Sequence, residues 1–170
     1  MKQVTYRAPE PSDLHFITSS WLQSNRNSDF ANYINNGDYY DYHDELIESI
    51  LKRSMVTMIV DAEDLNHIYG YMVYENSDND FVLHFIYIKF NYRNFGLAKN
   101  ALLTIFPNFG NAECKLTHVD RVLTRIVEKK DMELGAGIKN YEIRKSSCFI
   151  KKREKYRLIY VPYELIKEMP

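Results

Sequence analysis

One stretch restricts the possible folds of this chain more than any other: Ile86-Tyr87-Ile88-Lys89-Phe90-Asn91-Tyr92-Arg93-Asn94-Phe95-Gly96-Leu97-Ala98-Lys99-Asn100-Ala101-Leu102. An apolar strand passes through a glycine turn and becomes a helix at once. Leu97, Ala98, Ala101, Leu102, Ile105 and Phe106 recur at helical spacing, and Pro107 closes the run. A strand, a tight turn and a helix start leave backbone N–H groups unpaired, where the helix dipole adds roughly half a positive charge. Such a place suits an anion, a phosphate above all. Gly96 lets the backbone approach a ligand without a Cβ in the way. Ala98 keeps the new helix close to ligand and sheet, and Arg93 can add charge at the mouth. A plain surface turn fits the same residues, and a six-residue pattern does not choose between the two. The order of elements has to decide.

That order is legible along much of the chain. Val4-Thr5-Tyr6-Arg7 reads as a short strand. Pro11 suits the first turn of a helix, with Asp13 placed well against the dipole, and Leu14, Ile17, Trp21 and Leu22 form an apolar stripe. A polar, aromatic link follows from Asn25 to Asp41 and contains the turn signal Asn35-Asn36-Gly37-Asp38. A second helix is expected over about Tyr42 to Lys52, with Leu46, Ile47, Ile50 and Leu51 facing in. Three strands come next: Met55 to Asp61, Ile68 to Tyr74 and Phe81 to Lys89. Gly70, inside the middle one, signals a bulge or a close backbone approach. After the turn and its helix, Cys114 to Val119 reads as a strand and about Asp120 to Lys130 as a helix. Tyr141-Glu142-Ile143 and Leu158-Ile159-Tyr160-Val161 read as strands. The sum is β-α-α-β-β-β-α-β-α-β-β.

Composition removes several classes. A chain of 170 residues, 45% hydrophobic and 26% charged, is expected to form one domain with a proper core. A net charge of −1 argues against broad attraction to nucleic acid. The basic cluster Arg144, Lys145, Lys151, Lys152, Arg153, Lys155 and Arg157 reads as a solvated face, or as a contact for an acidic partner. Two cysteines, Cys114 and Cys148, make no disulfide scaffold and read as packed, reduced thiols. The polar N-terminus is unlike a signal peptide, and no apolar run is long enough to span a bilayer. A cytoplasmic protein is the expectation. The histidines lack metal-site spacing, so no metal is expected.

The pattern Arg93-x-x-Gly96-x-Ala98, five residues after Ile88, resembles the acyl-coenzyme A pyrophosphate loop of the GNAT N-acetyltransferase superfamily. The element order matches as well, over roughly residues 3 to 130, with the glycine turn after the fourth strand. The strand Leu83 to Lys89 and the late Tyr160-Val161-Pro162-Tyr163 also resemble short phage-encoded members. The chain departs from the family pattern at Asn94, where many members have Gly, and at Phe90, where many have Pro.

The resemblance implies an α/β fold of GNAT type: a mixed, mainly antiparallel central sheet flanked by helices, with a splay between the fourth and fifth strands. It implies acetyl-coenzyme A as co-substrate. Tyr87 and Ile88 would pair with the pantetheine arm, and Arg93, Asn94, Phe95, Gly96, Leu97, Ala98 and Lys99 would cradle the pyrophosphate. His84 is the first candidate base, standing four residues before Ile88 where some members place Glu or His. His118, near the fifth strand's end, is the second. His43 and His67 read as surface or loop residues. Members usually protonate the leaving thiolate with a tyrosine on the helix after the fifth strand. Asp120 to Lys130 contains none, which leaves Tyr141 or Tyr160 as a substitute. Substrate contacts would come from the link between the first two helices, where Tyr33, Tyr39, Tyr40 and Asp41 could receive a cationic amine. The acceptor is a small molecule or a protein.

Two other functions stay open. A catalytically degenerate member would keep the fold and serve as a binding or structural component, for instance of a phage particle; under either reading the partners could include further copies in a homo-oligomer or a viral assembly. An unrelated α/β module could dock an acidic partner through its basic tail, with binding that weakens in moderate salt.

Overall fold

The computed structural model describes residues 3–26, 35–76, 81–107 and 114–117, and the backbone of 144–145, 148–149 and 158–160. Its elements are β1 (Val4–Arg7), α1 (Leu14–Arg26), α2 (Asn36–Leu51), β2 (Met55–Asp61), β3 (Ile68–Asn76), β4 (Phe81–Ile88), α3 (Leu97–Ile105), β5 (Cys114–Leu116), β6 (Arg144–Lys145), β7 (Cys148–Phe149) and β8 (Leu158–Tyr160). The main sheet runs β1-β2-β3-β4-β5-β8, and β6 pairs with β7 in a separate ribbon. The fold is a mixed α/β one, with a mostly antiparallel sheet flanked by helices. β1 and β2 are antiparallel, whereas β4 and β5 are parallel, with Phe81, Val82 and Leu83 opposite Cys114, Lys115 and Leu116. β8 adds in parallel beside β5.

The chain divides into two compact units: Met1–Val73 with Phe85–Leu97, and Tyr74–His84 with Ala98–Pro170. In the first, α1 presents Ile17 and Trp21 to the sheet, both buried. Trp21 stacks on Phe85 at 4.8 Å between ring centroids, a contact worth about 0.5–1.5 kcal/mol beyond its area. Tyr71 is buried with its hydroxyl donating to Ile17 O at 2.9 Å. Leu14, expected on the apolar stripe, is 49% exposed, because it opens the helix ahead of the packed turns.

A short 3-10 turn at Pro11–Asp13 leads into α1. Arg7 at the end of β1 pairs with the buried carboxylate of Asp13 at 2.6 Å, and Asp13 also accepts the Glu10 N–H at 2.8 Å. Arg7 Nε donates to Leu65 O at 3.1 Å. One guanidinium therefore ties the first strand to the start of α1 and to the β2–β3 link.

The second helix corrects the sequence reading. It starts at Asn36 rather than at Tyr42, because the expected turn is a helix start: Asn35 caps α2 by accepting the Asp38 N–H at 3.0 Å. Of the expected inward residues, Ile47 and Ile50 are buried while Leu46 and Leu51 are half-buried. In β3, Gly70 marks a close approach. A Cβ built there would lie 2.1 Å from Tyr87 O on β4.

In the second unit, Phe81 stacks against Tyr74 at 5.5 Å and against Phe106 at 4.4 Å. Cys114 and Leu116 of β5 and Ala101 and Leu102 of α3 are buried. Cys114 is a free thiol that burial pushes up in pKa. The expected helix over Asp120 to Lys130 and the expected strand at Tyr141 to Ile143 lie outside the described residues. Among the described residues no helix is long and apolar enough to cross a membrane.

Candidate functional site

β4 delivers the chain into the turn. Lys89 N–H donates to Tyr69 O at 2.8 Å, the last bond to β3, and a 3-10 turn over Phe90–Tyr92 follows. Arg93 folds back: its Nε donates to Ile88 O at 2.9 Å, and its guanidinium carbon sits 5.7 Å from the Phe90 ring and 5.9 Å from the Tyr87 ring. Arg93 thus braces the turn from inside as well as bringing charge to it.

The next residues carry the decisive geometry. Asn94 has φ +70° and Gly96 has φ +77°. Both occupy the left-handed region, which most L-residues avoid and which glycine and asparagine tolerate. Asn94 stands where the family pattern often has Gly, and the positive φ explains why asparagine serves. Left-handed residues set among ordinary ones turn successive N–H groups toward one side, the concavity that binds anions. Asn94, Phe95 and Gly96 are all exposed, and no heavy atom lies within 4 Å of a Cβ built on Gly96. Leu97 then starts α3, whose first turn holds no acidic residue to oppose an anion.

A cleft of about 580 Å³ adjoins the turn, lined in part by His67, Tyr87, Lys89, Phe90, Asn91 and Tyr92. Tyr92 and His67 share a hydrogen bond of 2.7 Å. The buried Asp61 accepts the Tyr69 hydroxyl at 2.9 Å, and the Tyr69 and Tyr92 rings meet edge-on at 4.7 Å. His67 is therefore a loop residue, as expected, and one that is half-buried and hydrogen-bonded.

His84 lies on β4 as expected and is fully buried. Its Nδ1 is 2.9 Å from Thr117 Oγ1 and its Nε2 is 2.9 Å from Glu75 Oε1. A ring so enclosed has both nitrogens occupied by side-chain partners and no exposed surface. Thr117 follows β5, and its N–H donates to Leu83 O at 3.2 Å, extending the β4–β5 ladder by one bond. β4 itself continues to Ile88. Glu75 and Thr117 were not legible as partners in the sequence, where Glu75 reads as the start of a polar turn. Only strand pairing brings them to His84.

Three of the four expected substrate residues are not in a link. Tyr39, Tyr40 and Asp41 sit on α2. Tyr39 is 1% exposed, its hydroxyl donates to Leu22 O at 2.9 Å, and its ring stacks on His43. Burial raises its pKa, and the side chain is part of the packing. His43, expected at the surface or in a loop, is half-buried on α2 with a pKa lowered by burial. Tyr40 and Asp41 are exposed. Tyr33, His118 and Tyr141 lie outside the described residues.

A mostly antiparallel sheet with a parallel β4–β5 pair, flanked by helices, matches the fold of the GNAT N-acetyltransferases. Among solved structures, the chain is similar to the PaiA N-acetyltransferase of Thermoplasma acidophilum in complex with coenzyme A. The TM-score is 0.56 at 18% identity, over 89% of this chain and 99% of that one. A histone acetyltransferase HPA2 and related acetyltransferase from Corynebacterium glutamicum gives a TM-score of 0.58 at 12% identity, over 91% and 94%. A GNAT-family acetyltransferase from Staphylococcus aureus Mu50 gives 0.51 at 16% identity, over 91% and 98%. No protein-family model matches the sequence, and no curated protein matches it.

Proposed function

We propose that this chain binds acetyl-coenzyme A along Tyr87 to Lys99 and transfers the acetyl group to an amine. The observation that carries the reading is the pair of left-handed residues, Asn94 and Gly96, beside an open space at the head of α3. These residues fit a diphosphate: the turn is exposed and no acidic side chain occupies the first turn of the helix. Main-chain N–H groups from Asn94 to Lys99 hold the anion, Arg93 adds charge, and Tyr87 and Ile88 border the arm. The bound thioester supplies an activated acetyl group. The chain's own part is to hold the amine and to remove its proton, since only the neutral amine attacks. Exposed Tyr40 and Asp41 on α2 offer a cationic amine an aromatic face and a carboxylate. The coenzyme A complex of the Thermoplasma acidophilum protein supports the same ligand here.

The test is calorimetry with coenzyme A on the wild type and on Gly96→Asp. Aspartate brings a charge that opposes the anion to a position with φ +77°. We expect binding to be lost in the variant with the fold retained by circular dichroism. Equal affinity in the two proteins refutes the assignment.

A second reading is favoured by one observation, the absence of tyrosine from Asp120 to Lys130. In it the protein keeps the fold and serves as a binding or structural component, including in a viral assembly. Release of free thiol with any amine of a broad panel excludes it.

A further inference from the structure

The cleft of about 580 Å³ in the first unit falls within the usual size range of small-ligand sites. One wall is the β2–β3 link, with Asp64, Asn66 and His67; the other is the run from Lys89 to Tyr92 after β4. Hydrogen bonds fix both walls. His67 N–H donates to Asp64 O at 2.9 Å, Asp61 N–H donates to His67 O at 3.0 Å, and Tyr92 N–H donates to Lys89 O at 2.9 Å. The 2.7 Å bond between His67 and Tyr92 ties one wall to the other. The space is therefore formed ahead of any ligand.

Its lining has a definite chemistry. The Phe90 ring is 80% exposed, and no other ring of the described residues packs on it. An open ring at the rim of a cavity is a platform for a second planar group. Lys89 is half-buried and makes no ion pair among the described residues; its ammonium lies 4.9 Å from the Phe16 ring. That cation can take an anion. The exposed side-chain amides of Asn66 and Asn91 make no hydrogen bond among the described residues, and each offers a donor and an acceptor. The carboxylate of Asp64 accepts the Asn66 N–H at 3.0 Å through Oδ1, and its other oxygen can accept from a hydroxyl or an amino group. A purely apolar ligand would strand these polar groups. A bare phosphate would leave the ring platform uncovered.

We infer that this cleft binds a purine nucleotide. The base stacks on Phe90, the phosphate meets Lys89, and Asn66, Asn91 and Asp64 hydrogen-bond the base edge and the ribose. The same chemistry has two sources. One is a free nucleotide. The other is the adenosine end of coenzyme A, whose diphosphate would lie at the adjoining turn from Arg93 to Leu97 in the same unit. The second source rests on the coenzyme A reading above; the first is independent of it.

The experiment is isothermal titration of the full chain with AMP, GMP and ribose phosphate. We expect AMP or GMP to bind, with ribose phosphate weaker by at least about tenfold because it has no base to stack. Phe90→Ala and Lys89→Gln should each weaken the nucleotide by about tenfold. Phe90 is an exposed ring, so its removal leaves the fold intact, which circular dichroism checks. A repeat titration in saturating coenzyme A separates the sources. Nucleotide excluded by coenzyme A assigns the cleft to the cofactor's adenosine end, and nucleotide that still binds assigns it to a free nucleotide. A wild type that binds neither AMP nor GMP overturns the inference, as does unchanged affinity in either variant or ribose phosphate bound as tightly as the nucleotide. Coenzyme A bound by a protein that takes neither nucleotide removes this inference and leaves the coenzyme A reading intact. A nucleotide bound by a protein that takes no coenzyme A does the reverse.

Discussion

Alanine at Gly70 and alanine at Gly96 add the same methyl group to the same chain, and the structure assigns them opposite consequences. At Gly70 the new Cβ would meet Tyr87 O at 2.1 Å, Ile88 Cδ1 at 2.9 Å and Ile88 Cα at 3.1 Å. A carbon and a carbonyl oxygen need more than about 3 Å, so β3 and β4 would have to part by about 1 Å. Two of the three contacts are backbone atoms of a paired strand, which cannot swing aside. Overpacking of this kind costs about 1–3 kcal/mol and occasionally more, and the backbone contacts put Gly70→Ala at the top of that range. At about 2–4 °C per kcal/mol for a chain of this size, the melting temperature should fall by roughly 6–12 °C.

At Gly96 no atom lies within 4 Å of the added methyl, and the cost is conformational alone. A non-glycine residue held at φ +77° loses about 1–2 kcal/mol. The two variants should also part company in function. Gly96→Ala places its methyl in the open space proposed for the diphosphate and should weaken coenzyme A by at least about tenfold, or about 1.4 kcal/mol. Differential scanning calorimetry and isothermal titration of both proteins decide the matter. A Gly70→Ala protein as stable as the wild type would refute the close approach. A Gly96→Ala protein less stable than Gly70→Ala would refute the division of costs.

Two further outcomes follow from the same geometry. Asn94→Gly should leave urea stability within about 0.5 kcal/mol of wild type, because relief at φ +70° is offset by a more flexible unfolded chain, whereas Asn94→Val should lose about 1–2 kcal/mol. The hydrogen bond from Arg7 holds the Asp13 carboxyl below its ordinary value of 3.8. The folded protein therefore binds fewer protons there than the unfolded chain, and this contribution is complete above pH 3.8 and lost as pH falls through the lowered native value. Asp13→Asn should cost about 1.5–3 kcal/mol at pH 7 in urea unfolding and remove that part of the acid dependence.

The order of strands and helices up to β5 was legible because period and punctuation are local. Short apolar runs bounded by polar turns mark β2 to β4, helical spacing marks α3, and a glycine with helix-starting neighbours marks the turn. Even the role of Gly70 could be framed, since a glycine inside a strand has few reasons to be there. Asn35 to Asp38 misled because the same residues that make a turn also cap a helix, so Tyr39, Tyr40 and Asp41 belong to α2 and not to a link.

Local sequence, then, determined that a strand would hand over to a helix through a glycine turn at Gly96, because that property depends on neighbours in the chain. Tertiary structure alone decided that Asn94 shares the left-handed conformation, that Arg93 turns back to Ile88 O, and that Tyr39 faces inward. It alone put Glu75 and Thr117 on the two sides of His84. Pairing between distant strands sets those distances, and no spacing along the chain encodes them.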